Sequence, residues 1–139
     1  VCAANGINYL ILRAFNSYGG DDSFSVVQKL ITSARQKRPF TLVNKGIAER
    51  DFIHVNDVAR VTCELAEMPT SNEIINVGSG NPVRIIDLLK AVEERFGPIP
   101  VQHVNRPGEA AYSRANITKL RQLLALETID IFDFIRDQP

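Results

Sequence analysis

Residues 7–14, Ile-Asn-Tyr-Leu-Ile-Leu-Arg-Ala, are apolar at Ile7 and then at four consecutive positions, Tyr9 to Leu12. Successive side chains of a strand point to opposite faces, so such a run needs cover on both. That requirement places it inside a parallel sheet, with Asn5-Gly6 as the turn that leads in. A second segment of this kind, Ile74-Ile75-Asn76-Val77, follows two helical stretches. Val26, Val27, Leu30, Ile31 and Ala34 recur at helical spacing behind Asp22 and Ser23, which read as the cap, until Pro39 stops them. Val58, Val61, Thr62, Leu65 and Ala66 form the buried stripe of the next helix, capped by Asn56 or Asp57.

Between these helices lie two short strand candidates, Phe40 to Val43 and Asp51 to Val55, around the loop Asn44-Lys45-Gly46. Ile85, Leu88, Leu89, Val92 and Phe96 predict a third helix closed by Gly97-Pro98. A strand at Val101 to Val104 follows, then a helix marked by Ile117, Leu120 and Leu124, and a last one by Ile131, Phe132 and Ile135. The order is α/β, yet only two segments have the character of strands in a large parallel sheet. Their other partners are expected upstream in a longer protein or from a second copy.

With 16 basic and 16 acidic side chains, the chain has no broad positive field for nucleic acid or anionic membranes. An anion site must therefore be local, which points to a small charged ligand. No apolar run approaches the roughly 20 residues of a membrane helix. Cys2 and Cys63 follow no metal-ligand spacing and read as inert core thiols of a reduced, cytoplasmic protein. The chain begins Val-Cys-Ala-Ala, in mid-pattern, as a fragment of a longer protein is expected to.

Four segments in order carry a resemblance. They are Leu12-Arg13-Ala14-Phe15-Asn16-Ser17-Tyr18-Gly19, Arg50-Asp51-Phe52-Ile53-His54-Val55-Asn56-Asp57-Val58-Ala59, Asn76-Val77-Gly78-Ser79-Gly80 and Arg106-Pro107-Gly108-Glu109. Together they resemble the C-terminal part of the extended short-chain dehydrogenase/reductases, the NAD-dependent nucleotide-sugar epimerase/dehydratase family typified by the UDP-galactose 4-epimerases. The resemblance covers nearly the whole chain. It implies an α/β substrate-binding portion of an extended Rossmann-type fold, with an incomplete parallel sheet plus a small lobe of helices and strands, all in one domain over residues 1–139. It implies a nucleotide-diphosphate sugar as ligand, and as partner either the missing N-terminal half or a second copy in a homo-oligomer.

The resemblance also assigns roles. Arg50 and Arg106 match the family's phosphate-binding arginines, and guanidinium forks suit the two charges of a diphosphate. Glu109 matches the carboxylate that accepts from the nucleotide ribose, and Asn16 the amide that meets the ligand beside sugar and diphosphate. Phe40 and Leu42 precede the loop that in relatives lies beside the nucleobase, with at least one of them expected in the core. His54 and Asp57 are read as structural, through strand packing and helix capping. Gly20, Asn44-Lys45-Gly46, Asn116 and the absence of Gly-Trp-x-Pro after the fourth helix depart from the family pattern.

In such enzymes NAD sits on a glycine-rich loop and a Tyr-x-x-x-Lys pair performs the chemistry, both expected upstream of Val1. Four residues beyond Tyr9, Tyr18 and Tyr112 stand Arg13, Asp22 and Asn116, and none is lysine. Gly78-Ser79-Gly80 has Val83 at the third glycine position of a dinucleotide fingerprint and reads as a turn. This chain therefore carries no cofactor-binding, catalytic or metal residues on this reading. It is the nucleotide-sugar-binding portion of a longer enzyme, incomplete alone, or else a stand-alone module that binds a phosphorylated ligand or a protein. Incubated with NAD and UDP-, dTDP-, GDP- and CDP-sugars, these 139 residues should show no turnover, and product that scales with pure protein would overturn that expectation.

Overall fold

The structure is a computed structural model that describes residues 3–20, 22–69 and 72–139. After a short 3-10 turn at Ala3–Asn5 come β1 (Leu10–Ala14), β2 (Ser17–Tyr18), α1 (Val26–Gln36) and β3 (Phe40–Val43). A second 3-10 turn at Asn44–Gly46 leads to β4 (Glu49–Asp51), β5 (Ile53–His54), α2 (Val55–Ala66) and β6 (Glu73–Val77). The chain continues with β7 (Pro82–Arg84), α3 (Ile85–Phe96), β8 (Val101–Val104), β9 (Tyr112–Ser113), α4 (Thr118–Leu123) and α5 (Ile131–Arg136). The α/β reading holds, as an incomplete parallel sheet plus a smaller lobe of helices and short strands.

The incomplete sheet is β1 beside β6, parallel, with Ile11 opposite Ile74 and Leu12 opposite Ile75. β1 is shorter than expected and is covered on one face only. Leu10 and Leu12 pack toward Val61, Leu65, Ile75, Val77 and Leu120, whereas Ile11 and Ile74 are each 46% exposed. Alternation along the strand explains the split: α2 and α4 lie over one face, and no described element covers the other. Elsewhere β2 pairs with β5 and β3 with β8, both parallel, while β4 lies between antiparallel β7 and parallel β9. A second core gathers α1, α3, α5 and β3 through Leu30, Ile31, Leu42, Leu88, Val92 and Ile135.

Several local expectations are corrected. The cap of α1 is Ser25, whose Oγ accepts from the Gln28 N–H at 3.1 Å, and Asp22 supports it by accepting from the Phe24 and Ser25 N–H groups. The strand expected over 51–55 is broken into β4 and β5, and Val55 already begins α2. The cap of α2 is His54, not Asn56 or Asp57, because its Nδ1 accepts from the Asn56 N–H at 3.1 Å. Gly19 is required beside it: its φ is +92°, and a Cβ there would stand 2.3 Å from His54 Nε2. The packed stripe of α2 is also narrower than expected. Thr62, Cys63 and Ala66 face solvent, so Cys63 is not a core thiol, and Cys2 lies outside the described residues.

Asp57, one turn further in, is buried and accepts from the Ile129 N–H at 2.8 Å. The Tyr18 hydroxyl donates to the Ile129 carbonyl at 2.9 Å, so both polar groups of that residue are held. Burial, with Asp57 and Asp130 adding to it, pushes the Tyr18 phenol well above its ordinary pKa, and the group stays a neutral donor. The segment that replaces Gly-Trp-x-Pro is thus fastened to β2 and α2 before it turns into α5. Among the described residues no helix is long and apolar enough to cross a membrane.

Among the described residues, the least exposed charged group is Asp51, at 0%. Its Oδ1 accepts from the Ser79 N–H at 2.8 Å and the Ser79 hydroxyl at 2.7 Å. Its Oδ2 accepts from the Gly80 N–H at 3.0 Å and the Ala115 N–H at 2.9 Å. A buried carboxylate is tolerable only with such partners, and bonds to it are stronger than neutral ones. The cage is tight enough to dictate its neighbour, since a Cβ on Gly78 would lie 2.5 Å from the Ala115 Cβ. Asp51→Ala leaves these donors buried and unmatched and should destabilise the chain by about 3–5 kcal/mol. Urea denaturation will measure it, and a loss below about 1 kcal/mol would mean that the cage is not a structural centre.

Candidate functional site

On β4, Asp51 turns into the cage, and adjacent strand residues face opposite ways, so Arg50 faces the other side. There it lines a cleft of about 390 Å³ with Asn16, Ser17, Glu109 and an apolar set that includes Phe24, Val26, Phe40, Phe52 and Ile85. Three of the four residues proposed from sequence therefore share one cleft. Arg106 stands at its margin, outside the lining but joined to it through Glu109.

Glu109 connects the two arginines. Its Oε1 accepts from Arg50 Nη2 at 3.3 Å, and its Oε2 lies 3.5 Å from Arg106 Nη1. The three differ in exposure, with side chains at 17% for Arg50, 27% for Glu109 and 65% for Arg106. Two guanidinium groups against one carboxylate leave one formal positive charge at the cleft mouth. Partly solvated ion pairs of this kind contribute little to stability, so a phosphate can take over either fork at small loss to the fold. Arg50 also donates from Nη1 to the Glu49 carbonyl at 2.9 Å, which fixes its direction.

Asn16 is oriented by the same strand, its Nδ2 donating to the Asp51 carbonyl at 2.6 Å. That bond leaves its carbonyl oxygen as the group on offer to a ligand, together with the second N–H. Leu42 is in the core and Phe40, although also buried, lines the cleft. His54 and Asp57 lie outside the cleft lining, one as a cap and one holding the tail.

Sequence reasoning missed the residue that places Arg106. Parallel pairing of β3 and β8 sets Val43 opposite Val104, so the loops that follow both strands leave side by side. Asn44 joins them, its Nδ2 donating to the Arg106 carbonyl at 2.9 Å and its Oδ1 accepting the Arg106 N–H at 2.8 Å. The signal was the departure of Asn44-Lys45-Gly46 from the family turn, which marked the position but not its partner. Asp51 was likewise visible only as a motif letter.

The Gly78-Ser79-Gly80 turn does not fit a dinucleotide phosphate. The N–H groups of Ser79 and Gly80, which a phosphate-binding glycine loop would present outward, are directed at Asp51. Among the described residues, no group of three or more His, Cys, Asp or Glu side chains is arranged to hold a metal ion.

A parallel strand pair with helices on one face, beside a lobe that presents an arginine-bearing cleft, matches part of Rossmann-like epimerase structures. The chain superposes on UDP-glucuronic acid 4-epimerase from Bacillus cereus, solved with UDP-glucuronic acid and NAD, with a TM-score of 0.88 at 26% identity, over 96% of this chain and 45% of that one. Residues 1–78 match the model of the NAD dependent epimerase/dehydratase family, and the chain belongs to that family. It is 28% identical to dTDP-L-rhamnose 4-epimerase of Burkholderia thailandensis over 78% of its own length and 32% of the relative's. It is 31% identical to ADP-L-glycero-D-manno-heptose-6-epimerase of Brachyspira hyodysenteriae, covering 79% of this chain and 38% of that protein. The chain thus spans less than half the length of each of these relatives.

Removing the Asn44 side chain should free the Arg106 loop without unfolding the molecule. In Asn44→Gly, which removes the side chain without straining the Asn44 φ of 46°, amide exchange at Arg106 is expected to rise roughly fivefold, the equivalent of about 1 kcal/mol for one exposed hydrogen bond. An unchanged exchange rate would show that the loop holds its place unaided.

Proposed function

We propose that the cleft binds a nucleotide-diphosphate sugar, and that the chain is the substrate-binding portion of an NAD-dependent epimerase or dehydratase. The observation that carries this reading is the convergence of Asn16, Arg50 and Glu109 on one cleft, with Arg106 tied to its margin through Glu109 and Asn44. Arg50, held by the Glu49 carbonyl, meets one phosphate, and the more exposed Arg106 meets the other. Glu109 then exchanges guanidinium partners for ribose hydroxyls, which only a hydrogen-bond acceptor can receive as donors. The Asn16 amide orients the sugar end.

In this proposal the chain binds and orients, and redox chemistry comes from elsewhere in the enzyme. NAD supplies the hydride acceptor in that larger assembly. Support comes from the tyrosines, none of which has a lysine four residues on, and from the Gly-Ser-Gly turn, whose donors are engaged by Asp51. The dinucleotide-binding half, or a second copy, adds strands at an open edge of the β1–β6 pair and covers its face at Ile11 and Ile74. An apolar strand face beside an open edge favours such pairing.

Calorimetry with UDP-glucose, UDP-glucuronic acid and dTDP-glucose tests the site. Arg50→Ala and Arg106→Ala should each weaken binding by about 10- to 100-fold, the range for losing one charge-assisted contact. Unchanged affinity in both variants, with circular dichroism intact, would place the ligand elsewhere.

A further inference from the structure

The chain has seven phenylalanines, and six are buried or half-buried while Phe24 is 85% exposed. A lone exposed apolar side chain is ordinary. Phe24 is set apart because it also lines the cleft that holds Asn16, Arg50 and Glu109. Its backbone is fixed as well. The Phe24 N–H donates to Asp22 Oδ1 at 2.9 Å, the Ser25 N–H donates to the same oxygen at 2.7 Å, and Ser25 caps α1. The ring thus stands on a held helix entry, with only its own two side-chain torsions left to order.

The cleft has two chemistries. Arg50 and Glu109 form its charged part, and Phe40, Phe52, Val26 and Ile85 give it an apolar lining that Phe24 extends to the surface. A ligand that matches both carries phosphate in one part and a flat apolar face in another. A nucleobase supplies that face, and aromatic side chains bind bases through stacking that does not depend on base identity.

We infer that Phe24 is the stacking residue that closes over the nucleobase of the bound nucleotide, a specificity element for nucleotide over bare diphosphate. The inference rests on the reading of the cleft as a nucleotide-diphosphate sugar site. Sugar rings also pack on aromatic faces, so the test separates base from sugar.

Two variants of the chain decide it, each titrated with UDP, ADP, UDP-glucose and inorganic pyrophosphate. In Phe24→Ala, affinity for UDP, ADP and UDP-glucose should fall together by about tenfold, the scale of one lost aromatic stacking face, with pyrophosphate unchanged. The chain has no tryptophan, so Phe24→Trp gives a single indole at the proposed contact. Its fluorescence should be quenched by UDP and ADP and not by pyrophosphate, a signature that a purely structural side chain would not give. Equal UDP affinity in the parent and Phe24→Ala overturns the inference while leaving the cleft assignment standing. A loss confined to UDP-glucose overturns it in favour of a sugar contact, and altered sedimentation with unaltered affinity overturns it in favour of a protein contact. If the parent binds pyrophosphate as well as it binds UDP, the base has no subsite and Phe24 no such role. If it binds none of the four, the nucleotide reading itself fails and the inference falls with it.

Discussion

The four hydrogen bonds that the Asp51 carboxylate accepts lock together parts of the chain that only the short pairings of β4 with β7 and β9 otherwise bring alongside one another. They draw the turn after β6 and the segment before α4 onto β4, joining the sheet with its covering helices to the lobe of short strands. The same residue serves the cleft twice more. Its carbonyl orients Asn16, and its inward side chain obliges Arg50, next along the strand, to face the cleft. A single buried carboxylate thereby couples stability to the geometry of binding, and one-residue slippage of β4 would bury the guanidinium and expose the acid.

Around that centre, side chains hold the backbone of neighbouring loops where β pairing is too short to do so. Asn44 grips both polar groups of Arg106, and Asp57 with Tyr18 grips both polar groups of Ile129. At the far end, Arg35 and Arg95 stack on Phe96 at 5.3 and 5.1 Å and donate to the carbonyls of Pro139, Arg136 and Gln138. Strands of two or three residues cannot fix register alone, and these side-chain bonds supply the missing specification.

What could be read from the sequence follows from the range of the interactions. The helices at 85–96 and 26–36 were legible because Leu88, Leu89 and Val92, or Leu30, Ile31 and Ala34, repeat at a local period that burial enforces. That the segments near Leu12 and Ile75 belong to a parallel sheet was legible from their apolar character, but not that they pair with each other. β2, β7 and β9 were not, because each exists only through a partner distant in sequence. Helix caps were misplaced where two polar residues competed locally: His54 won over Asn56 because its ring is packed between Tyr18 and Phe134 and its Nδ1 is already aimed. Arg50, Glu109 and Asn16 came from motifs, and their convergence required pairings that the motifs do not encode. The exposure of Thr62, Cys63 and Ala66 shows that a periodic stripe gives the centre of a helix face but not its width.

The cage around Asp51 also sets a clock. Its donors come from residues 79, 80 and 115, so when the chain leaves the ribosome Arg50 emerges long before the cage that positions β4 can form. The strand that carries the cleft arginine is locked only after Ala115 has been made and has closed a loop of more than sixty residues onto β4. On the proposed reading, ligand capture by this cleft is then a late event in synthesis, because a nascent chain that lacks the segment before α4 has both arginines but not the closed cage behind the first of them.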